Sequence, residues 1–406
     1  MTFTFEDMKE KIKHGINYGN ALECFDDHRN IPGFHTIEHD AVDENGLNHS
    51  FKVILTHYDN PDSSEPAIKT CWSVEEIWDN PETTDEIINF YKQLGYTAIR
   101  LPVNVSWHHL DNSTEIDPKW FEYIRSVVDK IINAGMFCCV VLFGEAYNSK
   151  FYVNNIDNYK NPFKNSNVKR IVDHWRGLAD ILKDIPEDKL TFELLNEFSL
   201  GPYAEIVGDI EFGEASKITA EIYSILIDMI RQSGGHNADR LIGIGGYRGD
   251  ADITLNNIDT FKNLMEDARN YFSFAMYLDP EFTFCYFTDT GMLRQELLDG
   301  IPYTAYKGTY EFYINHNYRI VISEYGTSFL KCATTLNSQD DIDRYKNACL
   351  KHTAFESIIQ EKLGIPSYIW DDGLLINRSE LKVMSDTYYD ISMSNIPDKD
   401  LLESFI

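Results

Sequence analysis

One unit recurs along this chain and limits its fold more than any single motif: an amphipathic stretch of helical period, a glycine stop, then a short apolar run. Thr83-Thr84 gives helix start signals, an amphipathic run reaches Leu94, Gly95 ends it, and Tyr96-Thr97-Ala98-Ile99-Arg100-Leu101-Pro102 reads as a strand. A second helix opens at Asp117-Pro118 and stops at Gly135 before the apolar strand 136–143. Helices over 168–183 and 213–232 lead to strands at 190–197 and 241–245. With 13–20, 271–278, 318–324 and 365–371, the strand candidates number eight. Apolar strands alternating with helices imply a parallel sheet covered on both faces, and eight of them favour closure into a barrel. The expected fold is therefore α/β, a (β/α)8 TIM barrel. No G-x-G-x-x-G loop follows the first strand, which weighs against a dinucleotide fold.

Barrels of this kind exceed 250 residues as one unit, so residues 1–406 read as a single domain without linker or repeat. The stretch 24–71 loses periodicity, apart from an alternating patch at 51–58 that suits one hairpin arm. It reads as an irregular insertion after the first strand, on the side where that strand ends.

The charge balance narrows the partners. With 65 acidic against 36 basic residues the formal net charge is −29, which repels nucleic acid and anionic membrane and makes a neutral ligand the easier partner. No apolar run is long enough to cross a bilayer. The seven cysteines are scattered without C-x-x-C spacing and read as mostly reduced and buried. No metal site and no cofactor is indicated. The first residues lack a basic region followed by an apolar core, so no signal peptide is expected: either the protein is intracellular or the sequence begins at the mature end. Nothing in the pattern sets an oligomeric state.

In such a barrel the working groups lie at the carboxyl ends of the strands. The central stretch, Leu190-Thr191-Phe192-Glu193-Leu194-Leu195-Asn196-Glu197, places Thr191, Glu193, Leu195 and Glu197 on one face if its period of two runs to the end. Acids on a strand that otherwise reads as buried are costly unless paired or used. The strand ends together contribute Arg100, Asn196, Glu197, Glu324 and Trp370. Two carboxylates flanking a ligand suit glycoside hydrolysis, and tryptophan offers an apolar plane for a sugar ring. Each residue also has a plainer reading. Arg100 could pair a core acid, Glu324 could cap a turn, and Trp370 could pack. Their coincidence at one barrel end favours the chemical reading.

The chain also resembles glycoside hydrolase family 5, retaining β-glycanases on a TIM barrel, and in particular its bacterial endoglucanase branch. The resemblance rests on Gly15-Ile16-Asn17-Tyr18-Gly19-Asn20-Ala21-Leu22-Glu23, Trp78-Asp79-Asn80-Pro81-Glu82-Thr83-Thr84 and Ile99-Arg100-Leu101-Pro102-Val103. It continues through Phe192-Glu193-Leu194-Leu195-Asn196-Glu197, Gly234-Gly235-His236-Asn237, Ile322-Ser323-Glu324-Tyr325-Gly326 and Tyr368-Ile369-Trp370-Asp371-Asp372-Gly373, then Asn377-Arg378. It implies Glu197 as general acid/base and Glu324 as nucleophile. Asn196 would bind the sugar 2-hydroxyl, Arg100 would support the charge on Glu324, and Trp370 would floor the subsite. Retention implies carboxyls about 5 to 5.5 Å apart. On electrostatic grounds Arg100 should hold Glu324 ionised, and Glu197 should keep its proton.

The chain departs from the family in places. The His-His pair at the third strand is replaced by Phe143 and Gly144. At the sixth, the His-x-Tyr becomes Ala275 and Tyr277 if registered on the tyrosine, or Met276 and Leu278 if registered on Pro280. A family proline after the catalytic glutamate is Phe198. Tyr147, Trp107, His108 and His109 stand on mouth-side loops where they could compensate. The leading expectation is a retaining β-glycosidase acting in endo fashion on a β-1,4-linked glucan or related hemicellulose, an oligo- or polysaccharide. The rival is a carbohydrate-binding protein that has lost turnover.

Overall fold

The computed structural model describes residues 2–25, 35–58, 67–109, 115–143, 166–199, 212–277, 307–327, 338–373 and 375–396. Eight parallel strands close into a barrel: β1 (Gly15–Asn17), β5 (Ala98–Val103), β6 (Phe137–Leu142), β7 (Leu190–Glu193), β8 (Ile242–Ile244), β9 (Asn270–Met276), β10 (Ile320–Tyr325) and β11 (Ser367–Ile369). β1 closes the ring, pairing Gly15 with both Ala98 and Tyr368. Eight strands, each read from its apolar run, thus form the (β/α)8 barrel expected.

The helices follow their start and stop signals. Thr84 caps Asp85–Gln93 through its hydroxyl, and Asp117 caps Pro118–Asn133 with proline in the first turn. Gly95 and Gly135 then adopt positive φ where the chain must turn back toward the sheet. The outward residues of the strands, among them Ile99, Leu101, Val140 and Phe192, pack under these helices. Inward residues at the amino ends, Ala98, Phe137, Tyr271, Val321 and Tyr368, instead meet Phe3, Phe5, Met8 and Ile12. The last group lies on and beside a short helix, Phe5–Lys11, that plugs the barrel floor and is fixed by a reciprocal Thr4–Asp7 capping box.

The segment read above as irregular is ordered where described. It forms a three-stranded antiparallel sheet of β2 (His35–Val42), β3 (Asn48–Tyr58) and β4 (Ala67–Cys71). Its inner face buries Phe51, Val53 and Leu55, with Phe51 edge-on to Trp120 and Tyr123. The hairpin arm expected at 51–58 is β3; β2 was not read because Thr36, Glu38 and Asp40 face outward, so that a one-sided strand looked like a polar loop.

Five cysteines, Cys24, Cys71, Cys138, Cys139 and Cys349, are buried and free. Among the described residues no helix is long and apolar enough to cross a membrane.

Candidate active site

The carboxyl ends of the strands converge on Arg100. This side chain is wholly buried, and its guanidinium edges are divided among acceptors on four residues. Nε and Nη2 donate to Glu193 Oε2 and Oε1 at 2.8 and 2.7 Å. Nη1 donates to Glu324 Oε1 and to Asn17 Oδ1, both at 2.8 Å. Nη2 reaches Asn196 Oδ1 at 2.6 Å. Both readings of Arg100 hold together: it pairs a core acid, and it grips Glu324. A planar fork can serve several acceptors at once, which a lysine could not.

Glu324 reaches this position through a break in strand period. Val321 faces the lumen while Ile320 and Ile322 face the helices, so strict alternation would send Glu324 outward. The register with β9 slips between Ile322 and Glu324: Ile322 pairs with Phe274, and Glu324 with Ala275. Ser323 is the extra residue of a bulge, and it turns the carboxylate inward. Asn17 Nδ2 secures the bulge by donating to Ser323 O at 2.8 Å.

The other oxygen of Glu324 accepts from the Tyr277 hydroxyl at 3.0 Å. That contact is the one expected if the sixth barrel strand is registered on Tyr277, with Ala275 two residues earlier on the same face. Burial pushes the Glu324 carboxyl above its ordinary range, although Arg100 and the Tyr277 hydroxyl pull it back and Glu193 adds to the rise. Arg100 thus works in the expected direction, favouring the ionised form of Glu324, while burial makes the net shift upward.

The period of two assumed for 190–197 also fails, and usefully. β7 stops at Glu193, whose side chain turns into the lumen, and the chain then bends. Trp175 Nε1 donates to Leu194 O at 2.7 Å, and Asn196 N to Leu142 O at 3.0 Å, so the bend is held from both sides. Glu197 takes φ of +42°, a left-handed conformation uncommon for a residue with a side chain, which redirects it relative to Glu193. Its backbone and Cγ lie against Gly249, itself at φ of +65°. Phe198, where the family has proline, is buried, and its carbonyl accepts from Arg248 N at 2.9 Å. The Tyr277 phenol is raised first by burial and then by the charges of Glu324 and Glu197, so both acids lie within electrostatic reach of one hydroxyl.

Asn196 is buried, its oxygen tied to Arg100, while its Nδ2 has no hydrogen-bond partner among the described residues. A buried amide left with donors is a costly arrangement that a hydroxyl-bearing ligand would relieve. Trp370 is half-buried beside this group. Its ring rests on Gly19, where a Cβ would come within 2.6 Å of Cζ2, so only glycine allows that approach. Phe143 lies 6.4 Å from it, centroid to centroid, with the planes inclined by 25°. Phe143 thus extends the apolar surface of Trp370.

Other sequence candidates are engaged elsewhere. His108 is buried and stacks on Trp120 at 3.6 Å, and Trp107 is buried as well. His109 Nε2 lies 3.2 Å from both Arg170 Nη2 and His174 Nε2. Tyr147, Gly144 and residues 278–280 lie outside the described residues. Among the described residues no group of His, Cys, Asp and Glu is arranged to hold a metal ion. Sequence reasoning missed Asn17 and the pairing role of Glu193; the signal for the latter was an acid at an inward strand position opposite an inward arginine.

Glu23, just beyond β1, is fully buried and accepts from the backbone N–H groups of Asn20 and Ala21. Burial pushes its carboxyl to about 7, and does the same for Glu356 beneath the Tyr310 hydroxyl. For an acid raised from 4.5, the stabilising contribution is whole below 4.5 and is lost as pH rises through about 7. The urea midpoint is thus expected to fall between about pH 5 and about pH 8, and Glu356→Gln should flatten that slope.

The sequence comparisons agree with this architecture. The family model described as Cellulase (glycosyl hydrolase family 5) matches residues 57–371. Endoglucanase B of Ruminococcus albus is 27% identical over 300 residues, covering 73% of this chain and 66% of that protein. Endoglucanase B of Neocallimastix patriciarum is 27% identical over 323 residues, covering 76% and 62%. The chain thus spans slightly less than two thirds of the length of these relatives. Among solved structures, a Bacteroides ovatus family 5 xyloglucanase in complex with a XXXG heptasaccharide superposes with a TM-score of 0.70 at 16% identity, covering 96% of this chain and 76% of that one. A xyloglucan-specific endo-β-1,4-glucanase from a metagenomic library, in complex with cellotriose, gives 0.67 at 21% identity, covering 97% and 98%. With a family match running from the inserted sheet to the last barrel strand, over a barrel whose mouth gathers Arg100, Asn196, Tyr277 and Glu324, this chain belongs to glycosyl hydrolase family 5.

Proposed function

We propose that this chain is a retaining β-glycoside hydrolase that acts in endo fashion on a β-1,4-linked glucan or a related hemicellulose. The observation that carries the reading is the grip on Glu324, with one oxygen on Arg100 and the other on Tyr277, beside the open Nδ2 of Asn196. Such a carboxylate is held in place and presents its remaining lone pairs to the mouth. Glu197 donates its proton to the glycosidic oxygen while a Glu324 oxygen attacks the anomeric carbon, giving a glycosyl ester. Water then attacks that carbon, Glu197 takes the proton, and Glu324 leaves as carboxylate. Asn196 Nδ2 donates to the 2-hydroxyl, and Trp370 with Phe143 offers the apolar floor. Two solved neighbours hold oligosaccharides, which supports a carbohydrate ligand.

Glu324 must be ionised to attack, so with its carboxyl raised the rate is expected to fall on acidification at a pH above the ordinary carboxylate value. The direct test is reducing-end release from β-1,4 and mixed-linkage glucans, mannans and xylans, with Glu324→Gln as the blank. Release no greater than the blank on every polymer would refute hydrolysis.

The second reading, a carbohydrate-binding protein without turnover, is favoured by Phe143 and Ala275 where the family carries histidines. It predicts oligosaccharide binding by calorimetry without cleavage. Covalent labelling of Glu324 by an activated 2-fluoro glycoside would exclude it.

A further inference from the structure

The proposed mechanism uses Glu324 and Glu197 and leaves a third carboxylate unexplained. Glu193 lies at the end of β7, almost wholly buried, with both oxygens on Arg100. A bidentate arginine–carboxylate pair fixes the plane of the guanidinium as well as its position. With the Nε edge taken, only the donors on Nη1 and the remaining one on Nη2 are left, and these meet Glu324, Asn17 and Asn196. One cation is therefore shared by two buried acids on opposite sides of the barrel.

We propose that Glu193 is a positioning residue of the reaction: by occupying the Nε edge of Arg100 it aims the other edge at Glu324 and Asn196, and it prevents Glu324 from taking the whole guanidinium charge. A nucleophile paired one-to-one with a buried arginine would be a poor one, because its lone pairs would be committed to the cation. Sharing leaves Glu324 anchored yet reactive. The inference rests on the reading of Glu324 as the nucleophile.

The charged and titratable groups around this pair are Glu193 on β7, Arg100 on β5, Cys139 on β6, Tyr271 on β9, Tyr277 beyond it and Glu324 on β10, with Tyr223 and Tyr368 in reach of Glu193 and Glu197 in reach of Tyr277. Removing the Glu193 charge leaves Arg100 wholly to Glu324, which lowers the pH at which Glu324 ionises. In Glu193→Gln the acidic limb of kcat/KM on an aryl β-cellobioside is expected to move down by about one pH unit, with kcat reduced more than KM is changed. Glu193→Asp keeps the charge and shortens the reach. It should leave the limb where it is in the unsubstituted protein while lowering kcat about tenfold or more, because the fork is drawn out of aim.

A limb that stays put in the glutamine variant, or one that falls equally in the aspartate variant, would overturn the proposal. The second outcome would mean that water entry, not charge, moved it. If the glutamine variant does not fold, the aspartate variant decides alone: unchanged kcat refutes the aiming role. If the unsubstituted protein turns nothing over, the function reading fails instead. Glu193 is then still tested by titrating the Glu324 carboxyl by carbon-13 NMR, with the same direction expected in the glutamine variant and the same null result refuting it.

Discussion

Glu324→Gln is expected to reduce turnover on any accepted glucan by a factor on the order of 10⁴ or more, with little change in oligosaccharide affinity. The amide keeps the shape and can still accept from Arg100 Nη1 through its oxygen, but it cannot form the ester. The signature is a loss in kcat at nearly constant KM, measured on a chromogenic aryl β-cellobioside so that leaving-group protonation does not limit the first step. A variant that retains a tenth of the rate would remove Glu324 from the reaction. Glu324→Ala adds a second reading of the same site. It leaves Arg100 facing a cavity, so formate or azide should occupy the space and restore part of the turnover.

Arg100→Met is the second large effect, and it should appear first in stability. The substitution leaves Glu193 and Glu324 buried with no cation, and it strips the acceptors Asn17 Oδ1 and Asn196 Oδ1 of their donor. Breaking a buried pair on one side costs about 3–5 kcal/mol, because a charge is left without compensation. Glu324, already raised by burial and now without the opposing cation, then binds its proton more tightly in the folded state than in the unfolded chain. The variant should therefore regain stability as pH falls through the raised value of Glu324 and lose it again on the alkaline side, the sign set by linkage. Urea midpoints taken across that range would show it, and a pH-independent deficit would contradict the account. Arg100→Lys should recover some stability and little activity, since one ammonium cannot serve acceptors on both edges.

The barrel was legible because each strand shows as a short run of strand character, and four of them, β5, β6, β8 and β11, also follow a glycine that ends the preceding helix. The site was legible only as a set of strand-end residues. Its aim was not, because two of its acids depend on departures from regularity. Glu324 would face the helices but for the bulge at Ser323, and Glu197 follows a left-handed turn that no period describes. A bulge needs one surplus residue between two registers, which a single strand's sequence cannot reveal. Of the inserted sheet only the arm at 51–58 was legible, because in β2 and the start of β3 the inward residues include His39 and His49, which blurs alternation there. The floor helix was readable and overlooked, since Thr4 followed by Asp7 is a capping signal.

That floor helix ties the order of synthesis to the order of assembly. Its seat is made of side chains from β5 to β11, and β1 finds its second neighbour only at Tyr368. On the ribosome this helix is made before every strand of its seat and must wait for residue 368 to emerge before that seat is complete. Until then Phe3, Phe5 and Met8 remain exposed to solvent. The interval between the synthesis of this apolar helix and the completion of its seat is thus set by the closed topology of the barrel.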